Sequence, residues 1–123
     1  MVLTVSPPAP DSTPLGQAFR PDAAPLPQSS SERERLLGLH AKGMEQLERG
    51  NIFAARKFFE RAVEGGLAQS AVALAGTYDP DELAKMKVVG LQPNVEEARK
   101  WYERARELGA FEAAEHLRRL GAR

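Results

Sequence analysis

The sequence predicts an all-helical protein, and three observations carry that prediction. Residues 98–109 place Ala98, Trp101, Tyr102, Ala105 and Leu108 at steps of three and four, which is one face of an amphipathic helix. Residues 51–74 recur as residues 94–117 at a constant offset of 43, with 11 of 24 positions identical. The aromatic pairs Phe58-Phe59 and Trp101-Tyr102 fall in register between the two copies. A fixed period of about 20–50 residues marks architectures built from a repeated unit. Finally, no segment shows the apolar–polar alternation of a half-buried strand.

Taken in order, residues 1–30 hold seven of the nine prolines, with one basic residue and no apolar periodicity. Such a stretch buries too little apolar surface to offset its ordering entropy and reads as a lead or linker outside the folded part. Pro7-Pro8-Ala9-Pro10 fits a polyproline-binding groove in outline but lacks flanking basic residues, so a passive spacer is the better reading. The folded domain is therefore assigned to residues 31–123.

Ser31 and Glu34 have the spacing of a capping box and predict a first helix over residues 32–49. Its apolar positions, Leu36, Leu37, Leu39, Met44 and Leu47, cover more than half the circumference. Gly50-Asn51 ends it, a second helix runs to residue 64, and Gly65-Gly66 stops that one. A third helix is expected over residues 68–78. Asp79-Pro80-Asp81-Glu82 is a start signal, with aspartate as N-cap and proline at the first helical position, for a short helix over residues 80–87. Residues 88–93 form a loop with apolar side chains against the core. Asn94 with Glu97 caps the next helix, Gly109 breaks it, and a last helix over residues 111–120 is expected to bury Phe111, Ala114, Leu117 and Leu120. The rings of both aromatic pairs are expected between helices, each beside an alanine that lets a neighbour approach. Charges are expected to pair in solvated rows, Glu96 with Lys100, Arg99 with Glu103, and Arg56 and Lys57 with nearby acids.

Composition excludes several functions. The 17 basic and 17 acidic residues cancel, so no net field steers the chain to nucleic acid or anionic lipid. Cysteine is absent, which removes disulfide and thiolate chemistry and fits a reducing, cytoplasmic setting. No run of about 18 apolar residues is present to span a membrane. His40 and His116 are the only histidines, and Glu112, Glu115 and His116 offer no metal geometry by spacing, so neither metal nor cofactor is called for. No nucleophile has a base nominated beside it. An enzyme would need a pocket in which two or more titratable side chains converge.

The pattern Leu74-Ala75-x-x-Tyr78, then Ala98-x-x-Trp101-Tyr102-x-x-Ala105-x-x-x-Gly109, resembles the Sel-one-like repeat, a branch of the tetratricopeptide repeat superfamily. Leu39, Gly43, Gly50, Ala55, Phe59 and Ala62 resemble the small and large positions of a plain tetratricopeptide repeat. Gln46, Leu67 and the long segment 79–93 depart from the pattern. The resemblance implies a short right-handed α-α solenoid of two helix-turn-helix repeats plus a C-terminal capping helix. It also implies a non-catalytic adaptor or scaffold that binds a peptide or protein segment on its concave face. Carried over by position, that face comprises Leu37, His40, Met44 and Leu47 of the first helix, and Gln69, Val72, Ala73 and Gly76 of the third. Glu112, His116 and Arg119 of the last helix complete it. The alternative is a structural docking or dimerisation module, pairing through the first helix and tethered by the Pro-rich lead within a larger, envelope-associated assembly.

Overall fold

The computed structural model describes residues 30–88 and 90–121, so all but the last residue of the Pro-rich lead lies outside the described residues. The described residues form six helices: α1 (Ser30–Glu48), α2 (Ile52–Glu64), α3 (Ala68–Gly76), α4 (Pro80–Met86), α5 (Val95–Glu107) and α6 (Ala113–Gly121). No strand occurs among the described residues. The helices pack pairwise in chain order, α1 on α2, α2 on α3, α3 on α5 and α5 on α6, while α4 rests lightly on α3.

Three helix ends share one device. Gly50, Gly66 and Gly109 follow α1, α2 and α5 with φ of 81°, 100° and 110°, a backbone region that favours glycine. In each case the next residue's amide reaches back into the last turn: Asn51 to the Gln46 carbonyl, Leu67 to Ala62 and Ala110 to Ala105, at 2.8–3.1 Å. This is the Schellman arrangement, which satisfies carbonyls that a helix end leaves unpaired. Leu67 and Ala110 then turn inward and are buried. At the starts, Asp79 caps α4 by accepting from the Asp81 amide at 2.9 Å, and Asn94 caps α5 by accepting from Glu97 at 3.1 Å. The α1 start differs from expectation, since Ser30 is already helical and Ser31 therefore lies within the helix.

The two copies bury equivalent positions. Ala55 and Ala98, Phe59 and Tyr102, and Ala62 and Ala105 are all fully excluded from solvent. In each aromatic pair it is the second ring that is enclosed; Phe58 and Trp101 are half-buried at the edges of the clusters. Phe59 lies directly on Gly43, where an added Cβ would come within 2.4 Å of its Cε1. Gly43 is thus the recess in α1 that lets α2 close on it. Leu36 and Leu39 complete the α1–α2 core with Ala62 and Leu67. The widest cluster joins Ala71 and Ala75 of α3 to Ala98, Tyr102 and Ala105 of α5 and Leu120 of α6.

Four further expectations are corrected. The third helix stops at Gly76, because the Thr77 hydroxyl and the Asp79 amide turn back to the Leu74 and Ala75 carbonyls. Phe111 is 84% exposed and Ala114 is also exposed, while Ala113 and Leu120 are buried. Ala110 already fills the inward position after Gly109, which leaves Phe111 in the turn facing water. The surface pairs on α5 are Glu97–Lys100, Glu103–Arg106 and Arg104–Glu107, all three apart, in place of the expected Glu96–Lys100 and Arg99–Glu103. And Arg56 is only 8% exposed, with no carboxylate within ion-pair distance among the described residues. Its Nε and Nη2 donate to the Thr77 hydroxyl and carbonyl at 2.9 and 2.6 Å, and the guanidinium lies 3.8 Å from the Tyr78 ring centre.

Candidate functional site

Side chains of α1, α3, α4, α5 and α6 together enclose a cleft of about 500 Å³. Met44, Leu47 and Glu48 form one wall from α1, and Val72, Ala73 and Gly76 form the adjoining wall from α3. Glu82 and Met86 close the cleft from α4, and Tyr102 and His116 reach it from α5 and α6. The walls are apolar because each helix has already spent its best-packed face on its neighbours. What remains facing the cleft are the half-buried apolar residues beside that face.

The floor is polar. Asp79 is fully buried, and its carboxylate accepts the Tyr102 hydroxyl at 2.7 Å on Oδ2 and the Asp81 amide on Oδ1. His116 stacks on Tyr102 with ring centres 4.6 Å apart and planes within 1° of parallel. Arg119 donates to Asp81 at 2.9 Å and also meets Nδ1 of His116. A guanidinium cannot accept a hydrogen bond, so Nδ1 is the acceptor and its lone pair is engaged. Burial, then the bond to Asp79 and its charge, push the Tyr102 phenol well above its ordinary pKa, so it stays protonated as a donor.

Of the residues assigned to the binding face by sequence, Met44, Leu47, Val72, Ala73, Gly76 and His116 line this cleft. Arg119 stands behind His116, bonded to Asp81. Gln69 and Glu112 are exposed elsewhere, and Leu37 packs on the α1–α2 core. His40 faces α3: its Nδ1 lies 2.8 Å from the buried Ser70 hydroxyl and its ring 5.4 Å from that of Phe59. Burial lowers its pKa. Glu48, Asp79, Glu82, Met86 and Tyr102 were not assigned to the site by sequence. Asp79 and Tyr102 lie 23 positions apart and meet only through the α3–α5 packing, so no local spacing announces them.

Asp79, Glu82 and His116 bring one ligand atom each within 4.8 Å of one another, which is compatible in outline with a cation. Their surroundings fit one poorly. Asp79 already serves two donors, the Nδ1 lone pair of His116 is turned to Arg119, and the Arg119 charge stands beside the group. Metal-bound imidazoles instead donate their second nitrogen to an acceptor.

No family model, curated protein or solved structure gives a significant match to this chain. Among the described residues no helix is long and apolar enough to cross a membrane.

Proposed function

We propose that this chain is a non-catalytic interaction module whose cleft holds a peptide or protein segment. In this reading the six helices form a short right-handed solenoid of the Sel-one-like and tetratricopeptide kind. α1/α2 and α3/α5 are its two repeats, α4 is an insert and α6 the cap. Two features support it: the copies offset by 43 residues both bury the alanine–aromatic–alanine row (Ala55, Phe59 and Ala62; Ala98, Tyr102 and Ala105), and each major helix packs on the next in chain order, as stacked two-helix units do. The observation that carries the functional reading is the cleft, apolar along α1 and α3 with a few polar groups at its floor, the usual composition of a recognition site. The reading calls for no cofactor.

A catalytic reading has one observation in its favour, the convergence of Glu82, Tyr102 and His116 on the cleft. Against it, the phenol is held protonated and the Nδ1 lone pair of His116 is engaged, so two of the three groups are poorly placed to act as a base. The docking or dimerisation reading loses support because Leu36 and Leu39 are consumed within the fold, which leaves α1 a smaller free apolar face.

Random dodecapeptides displayed on phage and selected on the full chain test the proposal. Met44 is a suitable probe position because it is 38% exposed, so its replacement by asparagine leaves the core and the charge of the cleft unchanged. Enriched peptides should lose affinity by about tenfold against Met44→Asn, as expected when a side chain at an apolar contact is cut short and made polar. Peptides that bind the variant as tightly as the parent would place recognition elsewhere and overturn the reading.

A further inference from the structure

Resting on the peptide-binding reading above, we infer that the cleft selects a segment that inserts a lysine or arginine side chain next to an apolar residue. The inference comes from the charges that line it. Two carboxylates, Glu48 and Glu82, stand among otherwise uncharged or apolar walls, and no lysine or arginine lines the cleft among the described residues. Glu48 has no ion pair there, whereas its helical neighbour Glu45 is held by Arg49 at 3.0 Å. Glu82 is paired with Lys85 at 3.2 Å, whose side chain is 71% exposed and free to swing into water. Arg119, which touches the lining residue His116, is committed to Asp81 at 2.9 Å. The fully buried Asp79 carboxylate lies beneath the same floor.

A side chain with a long apolar stem and a cationic head matches this layout along its length. Its methylenes would lie against Met44, Leu47 and Val72, and its head would reach the Glu48 and Glu82 carboxylates that line the cleft. An anionic segment would meet Glu48 and Glu82, of which only Glu82 is partly offset by Lys85 at 3.2 Å, so the charges also disfavour it.

The experiment uses the peptides enriched on the full chain. Each is titrated by fluorescence anisotropy in its selected form and with its basic residues replaced by glutamine, against the parent chain, Met44→Asn and Glu48→Lys. Expected are a shared lysine or arginine beside an apolar residue, and a loss of about tenfold on replacing it by glutamine. Glu48→Lys should cause a similar loss, and rising salt should weaken the parent complex. Peptides that fail on Met44→Asn yet tolerate both glutamine and Glu48→Lys would overturn the cation inference and leave the peptide-binding reading standing. Peptides indifferent to Met44→Asn would overturn both. Glu48 is an exposed residue at the end of α1, so Glu48→Lys should keep the parent's helical circular dichroism, and a variant that lost it would be replaced by Glu48→Gln in the same titrations.

Discussion

Replacing Tyr102 by phenylalanine removes one oxygen and leaves the ring, its packing and its stack on His116 in place. What is lost is the hydroxyl that donates to Asp79 at 2.7 Å. Asp79 is fully buried, and its other bond from this region is the α4 cap to the Asp81 amide. A buried charged acceptor deprived of a donor costs about 1–3 kcal/mol, so Tyr102→Phe should cost about 2 kcal/mol. Asp79→Ala should cost somewhat more. It removes the cap, about 1 kcal/mol, and strands the buried hydroxyl at about 1–3 kcal/mol. The double variant strands neither group and retains only the cap loss with some repacking.

The two changes should therefore be non-additive, with a coupling of about 3 kcal/mol, since the double variant keeps only the cap loss and some repacking. Urea unfolding followed by circular dichroism measures all four proteins, and for a folded part of this size about 2 kcal/mol lowers Tm by roughly 10 °C. Coupling below about 0.5 kcal/mol would mean that hydroxyl and carboxylate do not meet, and the floor of the cleft would have to be redrawn.

Two more predictions address the helix contacts. Gly43→Ala should destabilise by about 1–2 kcal/mol, because overpacking against the enclosed Phe59 ring outweighs a helix-propensity gain of about 1 kcal/mol. Gly38→Ala, with nothing within 4 Å, should stabilise instead, so thermal melts of the pair must move in opposite directions. For His40, burial holds the folded-state pKa below the ordinary 6.5, so below that pH the unfolded chain binds a proton that the folded chain does not. Its contribution to stability is present above pH 6.5 and is lost as pH falls from there towards the lower folded value. Urea midpoints from pH 8 to 5 should therefore drop more steeply for the parent than for His40→Gln, and parallel curves would refute it.

What the sequence makes legible here is what chain-local chemistry decides. Gly50, Gly66 and Gly109 mark helix ends because few other residues adopt their φ, and Asp79-Pro80 marks a start because the cap bond spans two residues. The duplication makes legible the matching alanine–aromatic–alanine rows of α2 and α5, but not the later positions, where Ala71 is buried and Ala114 exposed. Six residues that the resemblance places on the concave face, Met44, Leu47, Val72, Ala73, Gly76 and His116, line the cleft, since residues beside the packed face of a helix must point somewhere. The polar floor was illegible, because Asp79, Tyr102 and His116 belong to three elements brought together only by packing.

Arg56 shows how identical residues in the two copies come to differ. Its counterpart Arg99 has the same neighbours in sequence, yet Arg99 is exposed and Arg56 is buried. The cause lies 21 residues downstream. Arg56 finds the Thr77 hydroxyl and carbonyl and the Tyr78 ring, whereas the residues at the same offset from Arg99 are Leu120 and Gly121. Leucine offers no hydroxyl and glycine no ring, so desolvating a guanidinium there would go uncompensated. An arginine turns inward only where its acceptors are already built, which is a property of the pair of positions and not of either copy's pattern.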